Sequence, residues 1–286
     1  MAVLLLSIAG ARLEVRLGVP HLFRLARSRV YCAAREWQKA RTLRTLDTWL
    51  VTRTGNVVLH FTPGDAGIAP AVARYAADTY TSVSDAYDGR SLPREVHVAL
   101  LPSFEAMAEL IPGSGSERSV GVYWAGVVGV VSPAAWGDMF GEGQPLELFR
   151  RYNPLNHELT HLALDYAAGG NYPLWFSEGI AQIREYETTG YSWVNTVSTG
   201  DPAVSVIAVE RAFRSEETLG AAYRGSMDLS RVVLDRLGAG GLGRLATFLR
   251  SGYGFEQAVD LAAATASAQA ITQDKASPLL KERPQR

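Results

Sequence analysis

The spacing of apolar residues changes near residue 54 and divides the chain into two kinds of pattern. From Leu22 to Leu50, apolar residues recur three or four positions apart with Arg and Lys between them, which predicts one long amphipathic helix. Beyond it, short β-rich runs alternate with helical runs. Strands are expected at residues 57–62, 95–101 and 120–131, and helices at residues 68–87 and 103–110. From residue 154 onward, the apolar pattern is almost entirely helical.

This order of elements predicts an α+β fold with three parts. Residues 1–54 would form a basic N-terminal arm, and residues 55–265 a single domain. Within that domain, a small mixed sheet with helices (55–168) would precede a mostly helical lobe (169–265), with the helix at 154–168 between them. Residues 266–286 lose the apolar periodicity and are predicted to be a disordered tail.

The helix predicted at 154–168 contains an H-E-x-x-H motif made by His157, Glu158 and His161. Residues four apart on a helix lie on the same face, with Cβ atoms about 5–6 Å apart, so both imidazoles can bind one metal ion. Glu158 would then lie beside that metal. From there its carboxylate can take a proton from a water whose pKa a zinc ion lowers to about 7.

Glu178 is the expected third ligand of this metal. A second helix is expected to start at Asn171-Tyr172-Pro173, so a very short turn forces the two helices to lie antiparallel and side by side. That arrangement brings Glu178 back toward the two histidines. Cys32 is the only cysteine, which excludes a cysteine-based zinc site and an intrachain disulfide. The sequence therefore predicts one Zn²⁺ held by His157, His161 and Glu178.

The motif sequence H-E-L-T-H, the double-glycine turn and the run W-F-S-E-G-I-A together resemble the gluzincin metallopeptidases. The chain is most similar to the bacterial peptidase MA-like domains, over about residues 55–265. The resemblance implies a zincin-like fold and a zinc metallopeptidase that hydrolyses peptide or protein substrates, with Glu158 as the general base. It also implies that the edge strand at 120–131 holds an extended peptide by β-augmentation.

Three aromatic residues become candidates through this resemblance. Tyr223, in a Y-x-x-S sequence, matches the position of a donor that steadies the tetrahedral oxyanion. Tyr123 and Trp124 lie in the proposed edge strand, where they could contact the substrate. Each also has a simpler interpretation, because an aromatic residue on an apolar face usually packs in the core.

The sequence departs from the family pattern four positions after Glu178. Related sequences often carry an acidic residue there that orients a metal-binding histidine, but this chain has Gln182. Its amide oxygen could still accept from an imidazole, and Asp165 is a second candidate for this role. The departure leaves a second hypothesis open, namely a zinc-binding regulatory module without peptidase activity.

Charge separates the N-terminal arm from the rest of the chain. The net charge is −1, which argues against a nucleic-acid partner, yet the arm up to Arg53 has ten Arg and Lys against three acidic residues. Its amphipathic helix could lie on an anionic membrane or dock on the acidic body. The apolar run Met1–Ala11 is too short to span a bilayer, and the arginines that follow it favour a cytoplasmic or membrane-associated location over export.

Overall fold

A computed structural model describes residues 20–87, 91–111, 119–141, 143–191 and 205–266, and it confirms the α+β class. The strands are β1 Leu50–Thr54, β2 Val57–Phe61, β3 Val96–Leu101, β4 Gly121–Trp124 and β5 Val127–Val131. The helices are α1 Pro20–Thr45, α2 Ala69–Ser84, α3 Phe104–Leu110, α4 Pro145–Tyr152, α5 Leu155–Ala168, α6 Leu174–Thr189, α7 Val206–Ala212, α8 Leu219–Leu237, α9 Gly241–Arg250 and α10, residues 255–266. The predicted tail (266–286) lies outside this description except for its first residue, 266, which ends α10.

The five strands form one small mixed sheet in the order β1-β2-β3-β5-β4. Strands β2, β3 and β5 run parallel, whereas β1 and β4 pair antiparallel at the two edges. The side chains of β2 and β5 are all buried, as expected for inner strands whose two faces are both covered. Strand β4 is therefore an edge strand, as the sequence predicts for part of residues 120–131.

Helix α5 lies between the sheet and the helical lobe, because it contributes to both apolar cores. Leu155, Leu159 and Leu162 pack in the core that contains β2, β3, β5 and α2. Ala163 and Leu164 pack in the second core, with residues of α6, α9 and α10. Thirteen of the fourteen residues of α5 are buried. The predicted position of this helix between the two parts of the fold is confirmed.

The contacts between α5 and α6 pair residues in opposite order along the two helices. His157 faces Glu185, His161 faces Ser177, and Asp165 accepts a hydrogen bond from Tyr172, just ahead of α6. The two helices are therefore antiparallel, as predicted. The turn between them begins at Gly169, whose φ of 64° ends α5 in the left-handed conformation that glycine adopts without strain.

Three sequence predictions about local structure need correction. Strand β1 was not predicted, and the sheet begins at Leu50 rather than after residue 54, because Gly55 lies in a hairpin turn (φ 53°). The strand predicted at 120–131 is a hairpin, β4 and β5, whose turn residues Ala125 and Gly126 both have positive φ. Helix α4 lies between residue 145 and the motif helix, where the sequence pattern predicts only a loop over residues 132–145 and no helix before residue 154.

The N-terminal helix α1 docks on the C-terminal half of α5. Ser28 Oγ donates to the carbonyl of Gly169 at 2.7 Å, and Arg35 Nη1 lies 3.2 Å from the Asp165 carboxylate. The Arg35 guanidinium also stacks on the ring of Tyr166, 3.6 Å from its centroid. Among the described residues, no helix is both long enough and apolar enough to cross a bilayer.

Helices α6 and α8 approach most closely at Gly179. A methyl group at this position would overlap the backbone carbonyl of Ser226 and the hydroxyl of Ser230. Glycine inside a helix costs about 1 kcal/mol relative to alanine, and this close approach explains why the residue after Glu178 is a glycine. The position of Glu178 along α6 is thereby fixed by backbone contact with α8.

Replacing Gly179 with alanine is expected to destabilise the fold, because neither helix backbone can yield without moving the other. We expect a loss of about 1–3 kcal/mol in the free energy of unfolding, measured by urea denaturation. Gly67→Ala is the matched control, since an added methyl there meets nothing within 4 Å. Equal stability of the two variants would show that the α6–α8 contact is looser than described.

Candidate metal centre

Two histidines of α5 and one glutamate of α6 form a cluster that can hold a metal ion. One nitrogen each of His157 and His161 and one carboxylate oxygen of Glu178 all lie within 4.8 Å of one another. His157 Nε2 is 3.4 Å and His161 Nε2 is 3.6 Å from the same oxygen, Glu178 Oε2. Donors bound tetrahedrally to one ion at about 2.0–2.1 Å must be about 3.3 Å apart. Both separations between a histidine nitrogen and Glu178 Oε2 lie close to this value.

The fold determines why these side chains converge. His157 and His161 lie on the first two turns of α5, and the leucines on another side of that helix anchor it in the core with the sheet. The antiparallel α6 presents Glu178 from its second turn. The three side chains are 11%, 12% and 14% exposed, so the cluster is nearly buried but retains access to solvent.

Each ligand histidine has a partner for its other ring nitrogen. His161 Nδ1 lies 2.8 Å from Ser177 Oγ, and His157 Nδ1 lies 3.5 Å from Glu185 Oε2. Such outer contacts fix the ring orientation, and a carboxylate also raises the basicity of the ligand nitrogen. Both Nε2 atoms are thereby directed toward Glu178.

Glu185 and Ser177 were not predicted to take part in the site. The family pattern predicts an acid four positions after Glu178, whereas the acid beside His157 is Glu185, seven positions after it. Residues seven apart also share a helix face, since seven residues make about two turns. The spacing E-x6-E was therefore a readable signal. Ser177, next to Glu178, offers no signal of comparable specificity.

The predicted outer partners, Gln182 and Asp165, have other roles, which corrects that prediction. Gln182 Nε2 donates to the carbonyls of Glu178 and Tyr223, so it joins α6 to α8. The Asp165 carboxylate binds Arg35 and the hydroxyls of Tyr123 and Tyr172. In these contacts neither residue is bonded to an imidazole.

Glu158 is buried beside the cluster, and its environment adjusts its acidity. The pKa of Glu158 is raised to about 7. Burial is the main cause and the nearby carboxylates of Glu178 and Glu185 add to it, whereas His157 and a hydrogen bond with the backbone of Tyr123 act in the opposite direction. A cation bound beside this carboxylate would lower its pKa, because positive charge favours the ionised form. The side chain is therefore placed to exchange a proton near neutral pH.

The pKa values of the two histidines and of Glu178 also depend on burial and on one another's charge. Burial opposes protonation of His157, but its contacts with Glu178 and Glu185 outweigh burial and raise its pKa. Burial lowers the pKa of His161 to about 4, so this imidazole is neutral at pH 7. Burial would raise the pKa of Glu178, but the two histidines lower it. A neutral imidazole and an ionised carboxylate are the forms that bind metals.

The edge strand β4 passes directly over the start of α5. A methyl group at Gly121 would overlap Pro154 and touch Glu158. Val131 donates to the carbonyl of Val120, so the alternation of an antiparallel pair directs the backbone groups of Gly121 and Tyr123 away from β5. Tyr123 then hydrogen-bonds Glu158 through its backbone, and Ser119 Oγ donates to the Gly121 carbonyl. The outer edge of β4 is thus in direct contact with the general-base candidate.

The aromatic candidates take mostly structural positions. The hydroxyl of Tyr123 donates to Asp165 and accepts from Gly126 N–H, so its side chain is held inside the fold. Trp124 is half-buried, and its Nε1 is enclosed without a hydrogen-bond partner among the described residues. The ring of Tyr223 packs edge-on against Phe213, with centroids 5.4 Å apart. Contact of these residues with a substrate stays a prediction.

Comparison with known proteins adds no assignment to this geometry. No protein-family model matches the chain, and no curated protein matches it significantly.

Replacing Glu185 with glutamine tests its role in holding His157. The amide keeps the size of the side chain but removes the charge, so metal affinity should fall by about 10–100-fold. The measurement is a Zn²⁺ or Co²⁺ titration against a competing chelator. Glu187→Gln is the matched control on the same helix, because Glu187 is 59% exposed and pairs only with Arg184 among the contacts described. If both variants bind metal as the parent does, Glu185 has no positioning role.

Proposed function

We propose that the protein is a zinc-dependent metallopeptidase with a zincin-like fold of the gluzincin type. The observation that carries the proposal is the convergence of His157, His161 and Glu178 within 4.8 Å, with the buried Glu158 beside them. Metal ligands alone would suit a structural site. The carboxylate of Glu158 lies next to the ligands but is not needed to hold the ion. Its presence favours a catalytic site.

The donor set supports zinc as the metal. Two imidazole nitrogens and one carboxylate oxygen are the protein ligands of a common class of catalytic zinc sites, which keep a fourth position open. When bound, zinc would polarise a scissile carbonyl and lower the pKa of a water molecule to about 7. The partial exposure of the three ligands is consistent with an open position.

Glu158 would act as the general base in peptide hydrolysis. Its carboxylate accepts a proton from the attacking water and passes that proton to the leaving nitrogen, so each turnover returns it to the ionised form. The backbone of Tyr123 holds this carboxylate in place. An oxyanion donor is also expected, and Tyr223 remains the candidate that the family resemblance suggests.

The position of β4 supports an extended peptide as the substrate. An edge strand can add a further strand through backbone hydrogen bonds, and β4 runs beside Glu158. Because Tyr123 N–H and the Gly121 carbonyl already have partners, the substrate must pair with the remaining groups of this edge or displace those contacts. The backbone of β4, rather than its aromatic rings, is therefore the proposed contact.

Replacing Glu158 with glutamine is expected to separate binding from chemistry. The variant should fold and bind one zinc ion per chain, since Glu158 is not a ligand, while its cleavage rate falls by about two to four orders of magnitude. Cleavage of a mixed peptide library is followed by mass spectrometry, with and without a chelator. Glu187→Gln again serves as control and should retain full activity.

The same assay distinguishes the competing hypotheses. Chelator-sensitive cleavage by the parent protein supports the peptidase. Zinc bound without any cleavage would instead favour a regulatory module, and absence of zinc binding would leave a helical scaffold. Full activity in the Glu158→Gln variant would overturn the proposed role of that residue.

A further inference from the structure

The N-terminal helix α1 docks on the body through a face whose fully buried residues are polar, although Leu43 also packs against the apolar core. Its buried residues are Ser28, Arg35 and Thr42, which are seven positions apart and so share one face. Ser28 and Arg35 bond α5 and its C-terminal glycine. This is the reverse of the usual arrangement, in which a surface helix buries its apolar stripe.

The opposite side of α1 presents that apolar stripe to the outside. Leu22 is 54%, Val30 64% and Trp37 60% exposed. The exposed apolar residues of the stripe are Leu22, Ala26, Val30, Ala33, Trp37 and Ala40. Their spacing of three and four positions places them on one face, over a length of about 27 Å. We call these six residues the outer stripe.

Positive charge accompanies the outer stripe. Arg29, Arg41 and Arg44 are exposed along it, and the helix contains only one acidic residue, Glu36. Arg35, in contrast, is turned inward and paired with Asp165. The sequence that precedes the helix adds the apolar run Met1–Ala11, followed by Arg12 and Arg16. The exposed face of α1 is thus both apolar and basic.

We propose that the outer stripe of α1 binds the surface of an anionic lipid bilayer. A helix that lies in the membrane interface needs an apolar face, arginines near the phosphate groups, and preferably a tryptophan at headgroup level. The outer stripe with Trp37 and its three arginines meets each requirement. A second copy of the chain is a poorer occupant, because two such faces would bring their arginines together without acids between them.

Binding through this face would leave the candidate metal centre accessible. Helix α1 contacts the C-terminal half of α5 at Asp165 and Gly169, whereas His157 and His161 lie on its first two turns. The outer stripe points away from α5. The membrane would therefore position the protein without covering the cluster, and this inference does not depend on the proposed peptidase activity.

Vesicle co-sedimentation of the full chain tests the proposal. Vesicles of phosphatidylcholine alone are compared with vesicles of phosphatidylcholine and phosphatidylglycerol in equal amounts. We expect binding to the anionic vesicles only, weakened by added salt because salt screens charge. The variant Val30→Ser/Trp37→Ser should bind at least tenfold more weakly, since two large apolar side chains no longer enter the interface.

The arginines are tested separately from the apolar residues. Each charge near an anionic surface contributes about a fivefold increase in binding, so Arg29→Gln/Arg41→Gln should weaken it by about 25-fold. Ile207→Ser/Val232→Ser is the matched control, because these side chains are 71% and 67% exposed on other helices. The control variant should bind as the parent does, and circular dichroism should show that all variants are folded.

Three outcomes would overturn the proposal. The first is that the parent protein fails to bind anionic vesicles. The second is that the Val30→Ser/Trp37→Ser variant binds them as well as the parent does. The third is that the outer stripe mediates self-association instead. The last outcome would appear in sedimentation velocity as a dimer that Val30→Ser/Trp37→Ser abolishes. Removal of residues 1–19 gives a further test, since loss of all binding in that variant alone would assign the membrane contact to the preceding segment.

Discussion

The structure depends on the contact between α5 and α6, because this contact places several ionisable groups together in a nearly buried cluster. Glu158 and Glu185 are buried, and Glu178 is almost so. Three carboxylates so close together are costly unless positive charge accompanies them. The histidines supply part of that charge, and a divalent cation between them would supply the rest. The same packing that makes the cluster costly therefore makes it selective for a cation.

One face of α5 carries both the histidines of the candidate metal centre and the polar groups that bind neighbouring elements. His157, His161, Asp165 and Gly169 are spaced four residues apart, so they follow one another along the side of the helix. The first two form the candidate metal centre. Asp165 joins α1, β4 and the start of α6, and Gly169 closes the helix and accepts a bond from α1. The histidines and the residues of α5 that bind α1 thus lie along one side of the same helix.

The sequence predicted the parts of the fold that depend on local signals. The ends of α5 were predictable because glycine marks its end, and the meeting of His157, His161 and Glu178 followed from a short turn between two helices. Strand β1 was missed because its run Leu50–Thr54 continues an apolar helical pattern and ends at a turn that resembles a boundary. The orientation of α1 was also unpredictable. Periodicity shows that a helix has an apolar face, but only the packing shows whether that face lies inward.

The acid that supports a ligand histidine was expected at position 182 but lies at position 185, and helix geometry explains the difference. Seen down the axis of α6, position 185 lies about 20° to one side of Glu178, whereas position 182 lies about 40° to the other. On that other side the neighbour is α8, and Gln182 indeed bonds the carbonyl of Tyr223 there. A carboxylate at position 182 would lose the hydrogen bonds that the Gln182 amide donates and would place its own oxygens against that carbonyl, at a cost of about 1–3 kcal/mol. With α8 this close at Gly179, the amide suits position 182, and the acid that supports His157 belongs one turn further along.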